Sequence, residues 1–121
     1  MKSFENPAEL LHRIGMSPKY KGYAYLKFIL HLTRKDPALV HGLSQRLYPM
    51  VTEQFRVGQG SVERNLRFLI KKSWETDRGA MHALFEDYGI RWTPTNQECI
   101  SILTELLSEN KVPLYVQLRM W

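Results

Sequence analysis

Residues 48–74 read YPMVTEQFRVGQGSVERNLRFLIKKSW, in which a short apolar segment is followed by two glycines and then by a longer apolar periodicity. Pro49 must kink or restart a helix because it lacks an N–H, so Met50–Phe55 is predicted as a short helix. The glycines within residues 57–60 predict a tight connection that needs positive φ. Ser61 is a favoured N-cap residue, and a second helix is therefore predicted from about Ser61 to Trp74.

The helix predicted at 61–74 has two distinct faces. Its buried arc is formed by side chains at helical spacing, namely Val62, Leu66, Leu69, Ile70 and Ser73. Beside that arc, within a sector of roughly 100°, lie four charged side chains: Glu63, Arg64, Arg67 and Lys71. A short helix, a tight turn and a capped amphipathic helix in this order are typical of a helix-turn-helix.

The flanking sequence predicts further helices. Asn6 and Pro7 are typical of a helix start, and Gly15 of a left-handed helix end. Apolar spacing predicts helices at about 21–34, 38–47 and 79–88, and the capping box Thr95–Glu98 opens another. Trp74, Trp92 and Leu103 are expected in the core. The sequence therefore predicts an all-α fold, a compact bundle of about six helices containing a helix-turn-helix.

Composition limits the class of protein. A chain of 121 residues with 44% hydrophobic and 24% charged residues is expected to form one soluble domain. No apolar run is long enough for a membrane helix, and no signal peptide is apparent, so we expect no membrane association and a cytoplasmic location. The single Cys99 fits a reducing compartment.

Charge is unevenly distributed along the chain. Residues 1–78 carry 14 Lys and Arg against 7 Asp and Glu, whereas residues 79–121 carry 3 against 5. The two parts therefore have net charges of +7 and −2. A basic part joined to a mildly acidic one is expected if one face of the protein meets a polyanion such as nucleic acid.

The charged sector of the predicted 61–74 helix suits base recognition. Arginine matches the O6 and N7 acceptors of guanine, and glutamate can accept from the N4 group of cytosine. A surface that only bound phosphates would gain nothing from Glu63, which favours base reading. The competing interpretation is that Glu63, Arg67 and Lys71 are solvated charges that merely stabilise a surface helix.

Other residues offer weaker signals. The four histidines, His12, His31, His41 and His82, show no metal-ligand spacing, and no nucleophile–base motif is visible. We therefore expect no cofactor, no metal site and no enzymatic activity. The tyrosines at 20, 23 and 25 alternate with lysines at 19, 21 and 27. This pattern also suits stacking on single-stranded bases, but helix packing of the tyrosines with flanking solvated lysines is the preferred interpretation. Phosphate contacts by Lys19 and Lys21 stay open.

Several separated stretches carry a resemblance to a known family, in the same order along the chain. They are Ile14-Gly15, Lys21-Gly22-Tyr23-Ala24-Tyr25-Leu26, Leu47-Tyr48-Pro49, Val62-Glu63-Arg64 with Arg67, Ile70 and Trp74, and Pro94-Thr95-Asn96. Over about residues 10–110 the chain resembles the C-terminal DNA-binding effector domain of the response regulator that initiates sporulation in endospore-forming bacteria. The resemblance implies a helical domain that binds tandem copies of a duplex box containing GTCGA, as a transcription regulator.

The resemblance also implies roles for individual residues. Glu63 and Arg64 would read bases, and Arg67 with neighbouring polar groups would hold the site or its phosphates. We expect the complete DNA-binding set to be Ser61, Glu63, Arg64, Arg67, Lys71, Gln59 and Lys21. Where the family has a base-contacting arginine, this chain has Ser61, so the preferred box is expected to differ or to bind less tightly.

Further partners follow from the resemblance. Tandem boxes imply a homodimer on DNA, and residues 74–94 correspond to the surface that touches the sigma subunit of RNA polymerase, although the stretch is shorter here. The strands and helices of the family's receiver domain are not predicted in this sequence, so we expect either an excised domain or a stand-alone relative.

An alternative function is a non-catalytic protein-interaction module that pairs with a full-length regulator. Residues 1–112 are expected to form the helical domain, and 113–121 an apolar tail. Apolar residues alternate at period two from Val112 to Met120, which predicts an extended strand. In the alternative hypothesis, Leu114–Trp121 would be the docking strand.

Overall fold

The computed structural model describes residues 6–108 and forms a bundle of six α-helices. These are α1 (Pro7–Arg13), α2 (Lys21–Lys35), α3 (Tyr48–Phe55), α4 (Gln59–Thr76), α5 (Ala80–Glu86) and α6 (Asn96–Leu107). The described residues contain no strand, which confirms the predicted all-α class. The predicted strand at 112–120 and the tail lie outside the described residues.

Helix ends follow the predicted local chemistry. The Asn6 side chain accepts from the backbone N–H of Glu9 at 2.8 Å and caps α1. At α6 the Thr95 hydroxyl accepts from Glu98 N, while the Glu98 carboxylate accepts from Thr95 N, at 3.0 and 2.9 Å. This confirms the capping box. Gly15 follows α1 in the left-handed region, with φ of 81°, as predicted.

The long helix α2 lies at the centre of the bundle and packs against α1, α4 and α6. Its buried face includes Leu26, Ile29 and Leu30, all with no exposed surface. Burying a leucine or isoleucine side chain stabilises a fold by about 1.5–3 kcal/mol, so this face contributes much of the stability of the bundle. The predicted buried arc of α4 is confirmed, because Val62, Leu66, Leu69, Ile70 and Ser73 are all buried.

The segment predicted as one helix at 38–47 is instead divided. Residues Pro37–His41 form a 3₁₀ helix, Gly42 adopts φ −141° and ψ 57°, and Leu43–Leu47 form one π turn that leads into α3. Glycine is a poor residue for a helix interior because it loses the most backbone entropy there. The break at Gly42 reorients the chain before the restart at Tyr48.

Trp92 was predicted in the core, and this prediction is wrong. It lies in the connection between α5 and α6, and 59% of its surface is exposed. Large aromatic residues do favour interiors, but residue type alone cannot show that this connection runs along the surface. Leu103 is fully buried, and Trp74 packs against the core from α4.

Candidate nucleic-acid interface

The turn between α3 and α4 joins the two helices of the predicted helix-turn-helix. The sequence placed positive φ at the glycines, but Gly58 has φ −76° and Gly60 lies within α4. Arg56 takes the left-handed conformation instead, with φ 55°, and its N–H donates to the Thr52 carbonyl. A single left-handed residue ends α3, so the turn needs no left-handed glycine.

Helix α4 begins at Gln59, two residues before the predicted Ser61, with Gly58 as N-cap. Ser61 is therefore not the cap but part of the first turn. Its hydroxyl accepts from the Asn65 amide at 3.2 Å, and that amide also donates to the Ser61 carbonyl. The Gln59 amide donates to the Ser44 carbonyl at 3.2 Å, which ties the start of α4 to the π turn.

The outward face of α4 carries the cations predicted to meet DNA. Arg64, Arg67 and Lys71 are all exposed, whereas Glu63 is half-buried at the edge of the face. Within residues 6–108 none of these four side chains forms an ion pair. A Cβ built on Gly60 would lie 3.1 Å from Nη1 of Arg64, so this guanidinium lies over the first turn of α4. Its donors are therefore close to the helix N-terminus.

The position of this face is set by a contact from the other end of the chain. The Asn96 amide, at the start of α6, donates to the Glu63 carbonyl at 3.1 Å and to the Tyr48 hydroxyl at 3.4 Å. Burial raises the pKa of Tyr48, and the nearby Glu63 carboxylate raises it further, against the opposing effects of Asn96 and Arg67. One amide thus joins α3, α4 and α6 where the charged face begins.

A family model described as sporulation initiation factor Spo0A, C terminal, matches residues 8–107. The chain belongs to this family. The Spo0A C-terminal family is a DNA-binding effector domain of a sporulation regulator and is non-enzymatic, so the chain is a DNA-binding regulator domain. In residues 6–108 no helix has both the length and the hydropathy needed to cross a membrane.

In this member of the Spo0A C-terminal family, the N-terminus of α2 lies beside α4. Gly22 contacts the backbone at Asn65, so the exposed Lys21, its neighbour in sequence, lies beside α4. The Tyr20 ring meets the Phe68 ring edge-on, with centroids 5.4 Å apart. The predicted residue Lys21 is therefore next to α4 in space, although about 40 residues separate them in sequence.

Two aromatic side chains at this site, Phe68 and Tyr20, were not in the predicted DNA-binding set, although Tyr20 was expected to pack between helices. Phe68 lies on the outward face of α4 with 47% of its surface exposed, and the Tyr20 ring supports it. The helical wheel of α4 gives a signal for Phe68, because position 68 falls at least about 100° outside the buried arc and about 40° from Arg64. Its contact with Tyr20 depends on the tertiary packing of α2 and has no local signal.

The histidines and the cysteine, which are the other candidates for metal binding or reactivity, are not part of the charged face. The described part of the chain holds no group of three or more His, Cys, Asp or Glu side chains that could bind a metal ion. His12, His31 and His41 are exposed, and His82 pairs with Asp77. Complete burial raises the pKa of the Cys99 thiol, with a smaller contribution from Glu98, so the reactive thiolate is disfavoured.

Proposed function

We propose that this domain binds duplex DNA sequence-specifically and inserts α4 into the major groove. The observation that carries the proposal is the outward face of α4, where Arg64, Arg67 and Lys71 are exposed and form no ion pair within residues 6–108. An α-helix fits the major groove, and residues near its N-terminus are the ones that reach base edges.

The geometry supports separate roles along α4. Arg64 lies over the first turn, where its two terminal nitrogens suit the O6 and N7 acceptors of guanine. Glu63 is at the edge of the face, suited to a cytosine N4 donor, and Arg67 follows one turn after it. Lys71 lies farther along the helix and is assigned to a phosphate.

The remaining predicted residues have supporting roles in this proposal. Lys21 is assigned to the DNA backbone from the start of α2. Ser61 and Gln59 lie in the first turn of α4, where their side chains already have protein partners. We therefore assign both side chains to fixing the start of α4. From the same turn, both residues would also contact the DNA.

Two further partners are proposed on the family resemblance. Two copies of the domain would bind tandem boxes as a homodimer, and the segment between α4 and α6 would contact the sigma subunit of RNA polymerase. A shift in mobility from one to two bound copies on a two-box duplex tests the first. Capture of purified sigma subunit by the domain on DNA tests the second.

The base-reading role is tested with Arg64→Ala on a duplex containing GTCGA and on a scrambled duplex. Loss of a bidentate arginine–guanine contact is expected to cost about 1–3 kcal/mol on the box and far less on the scrambled sequence. Arg34→Ala is the matched control, since Arg34 lies in the last turn of α2, about 18 Å along the helix axis from the contact of Gly22 with α4. Both affinities are measured by fluorescence anisotropy at several salt concentrations. An Arg64→Ala variant that keeps full preference for the box contradicts the proposal.

A further inference from the structure

Phe68 is an apolar side chain on the face of α4 that otherwise carries charge. It follows Arg64 by four residues, so the two side chains lie on the same side of the helix, about 6 Å apart along its axis. Nearly half of the phenylalanine surface is exposed. Single exposed apolar residues are common on protein surfaces. Phe68 differs from the others in its position, because it lies beside Arg64 on the face that is proposed to meet DNA.

The Phe68 ring is held by its neighbours. Tyr20 meets it at an interplanar angle of 77°, an edge-to-face arrangement that aromatic pairs favour. The Lys72 ammonium lies 5.8 Å from the ring centroid on the same helix. Because Tyr20 is the N-cap residue of α2 and α2 is packed closely on α4, the ring is oriented before any partner binds.

Positive charge borders Phe68 on the side away from Glu63. The Lys72 ammonium is one of these charges, and the Lys19 ammonium lies 5.2 Å from the Tyr20 ring centroid. Around α4 the order is therefore Arg64, then the phenyl ring, then Lys72, with Lys19 beside the Tyr20 ring. If Arg64 faces the bases and the lysines face phosphates, Phe68 faces the boundary between them.

The chemistry at that boundary identifies the contact. The thymine methyl group is the apolar group that base pairs present in the major groove, and phenylalanine is suited to contact it. We propose that Phe68 contacts a thymine methyl beside the base read by Arg64, which makes it a specificity-determining residue. This inference rests on the proposed function, because it needs α4 in the major groove.

The experiment compares thymine with deoxyuridine, which lacks only the methyl group. The 121-residue chain first selects its preferred duplex from a random pool. That duplex is then synthesised with deoxyuridine at each thymine position in turn, and affinities are measured for the wild type and for Phe68→Ala. Trp92→Ala is the matched control, because it removes another exposed aromatic ring from a different surface.

At one thymine position, deoxyuridine is expected to weaken wild-type binding about fourfold, the value of one buried methylene-sized group. The same replacement should have no effect on Phe68→Ala, and Trp92→Ala should behave as the wild type. Phe68→Leu, which keeps an apolar side chain, should retain part of the penalty. Thermal unfolding confirms that each variant is folded.

The inference is overturned if the selected duplex contains no thymine, or if Phe68→Ala loses as much affinity as the wild type at every deoxyuridine. In either case the proposed function still stands when Arg64→Ala abolishes the preference for the selected duplex over a scrambled one. If the wild type shows no such preference, the proposed function and the inference are both wrong.

Discussion

Gly22 of α2 lies directly against the backbone of Asn65 in α4: a Cβ built on Gly22 would collide with the Asn65 carbonyl oxygen. The same Cβ would be 2.9 Å from the carbonyl carbon, so the obstruction is backbone and not the end of a flexible side chain. This crossing fixes where α4 lies relative to α2. It also places Tyr20 and Lys21 beside the face proposed to contact DNA.

Gly22→Ala is therefore expected to destabilise the fold although alanine is the better helix former. Overpacking costs about 1–3 kcal/mol, and moving a helix backbone places this site at the upper end, whereas the gain in helix propensity is about 1 kcal/mol. Urea unfolding gives the free energy of unfolding. Gly58→Ala is the steric control, because its Cβ meets nothing within 4 Å and its φ is negative. It should lose only the small preference of an N-cap for glycine over alanine. If Gly22→Ala and the wild type have the same free energy of unfolding, the two helices leave room for a Cβ at position 22 and the prediction is wrong.

A second prediction concerns the hydroxyls of Thr33 and Thr104, which share a buried hydrogen bond of 2.7 Å between α2 and α6. Thr104→Val leaves the Thr33 hydroxyl buried without this partner, at an expected cost of about 1–3 kcal/mol. The double variant Thr33→Val with Thr104→Val should recover most of that loss, because both polar groups are then removed. A double-mutant cycle from urea unfolding measures the coupling free energy between the two hydroxyls. If the costs of the two single substitutions simply add in the double variant, the prediction is wrong.

The sequence predicted those parts of the fold that depend on local chemistry. The Thr95–Glu98 capping box and the buried arc of α4 follow from spacing along one helix, and both are confirmed. The start of α4 was misplaced because Ser61 and Gly58 are both acceptable N-caps, and their side chains alone do not select between them. The left-handed residue was misassigned because a non-glycine residue such as Arg56 adopts that region only where the surrounding turn requires it.

The candidate site was predicted less completely than the fold. Helical periodicity places Arg64, Arg67 and Lys71 on one face without knowledge of the tertiary structure. It cannot show that Asn96 donates to the Glu63 carbonyl, since 33 residues separate them. Contacts of this kind depend on how α6 and α2 pack on α4, and a single sequence does not specify that packing.

The Asp77 carboxylate predicts a pH dependence of stability. Its side chain is 3% exposed and accepts from the backbone N–H groups of Gly79, Met81 and His82 and from the His82 ring. Burial acts to raise the pKa of Asp77, but these hydrogen bonds outweigh burial and hold the pKa below its ordinary value. The carboxylate therefore stabilises the fold above the unfolded-state pKa of about 3.9, and this contribution disappears as the pH falls through the lower folded-state pKa.

Asp77→Asn should accordingly lose about 1.5–3 kcal/mol near pH 7, the range for hydrogen bonds to a charged group. The difference from wild type should shrink as the pH is lowered below about 3.9. Urea unfolding at a series of pH values measures it, with Glu75→Gln as the control because Glu75 is an exposed carboxylate on the neighbouring helix. A loss that stays constant down to the lowest pH would show that the charge of Asp77 is not responsible.

The last prediction separates phosphate contacts from base contacts at the side of α4 near Phe68. Lys72→Ala should weaken binding to box and scrambled duplexes alike, and should reduce the slope of log affinity against log salt concentration by about 1. Lys27→Ala removes the same charge from an exposed position of α2, about 140° around the helix from Gly22, which faces α4. This variant should leave the slope unchanged. Titrations between about 50 and about 200 mM salt supply both slopes. If the two variants change the slope equally, the effect comes from the net charge of the domain, and the Lys72 ammonium does not contact the DNA backbone.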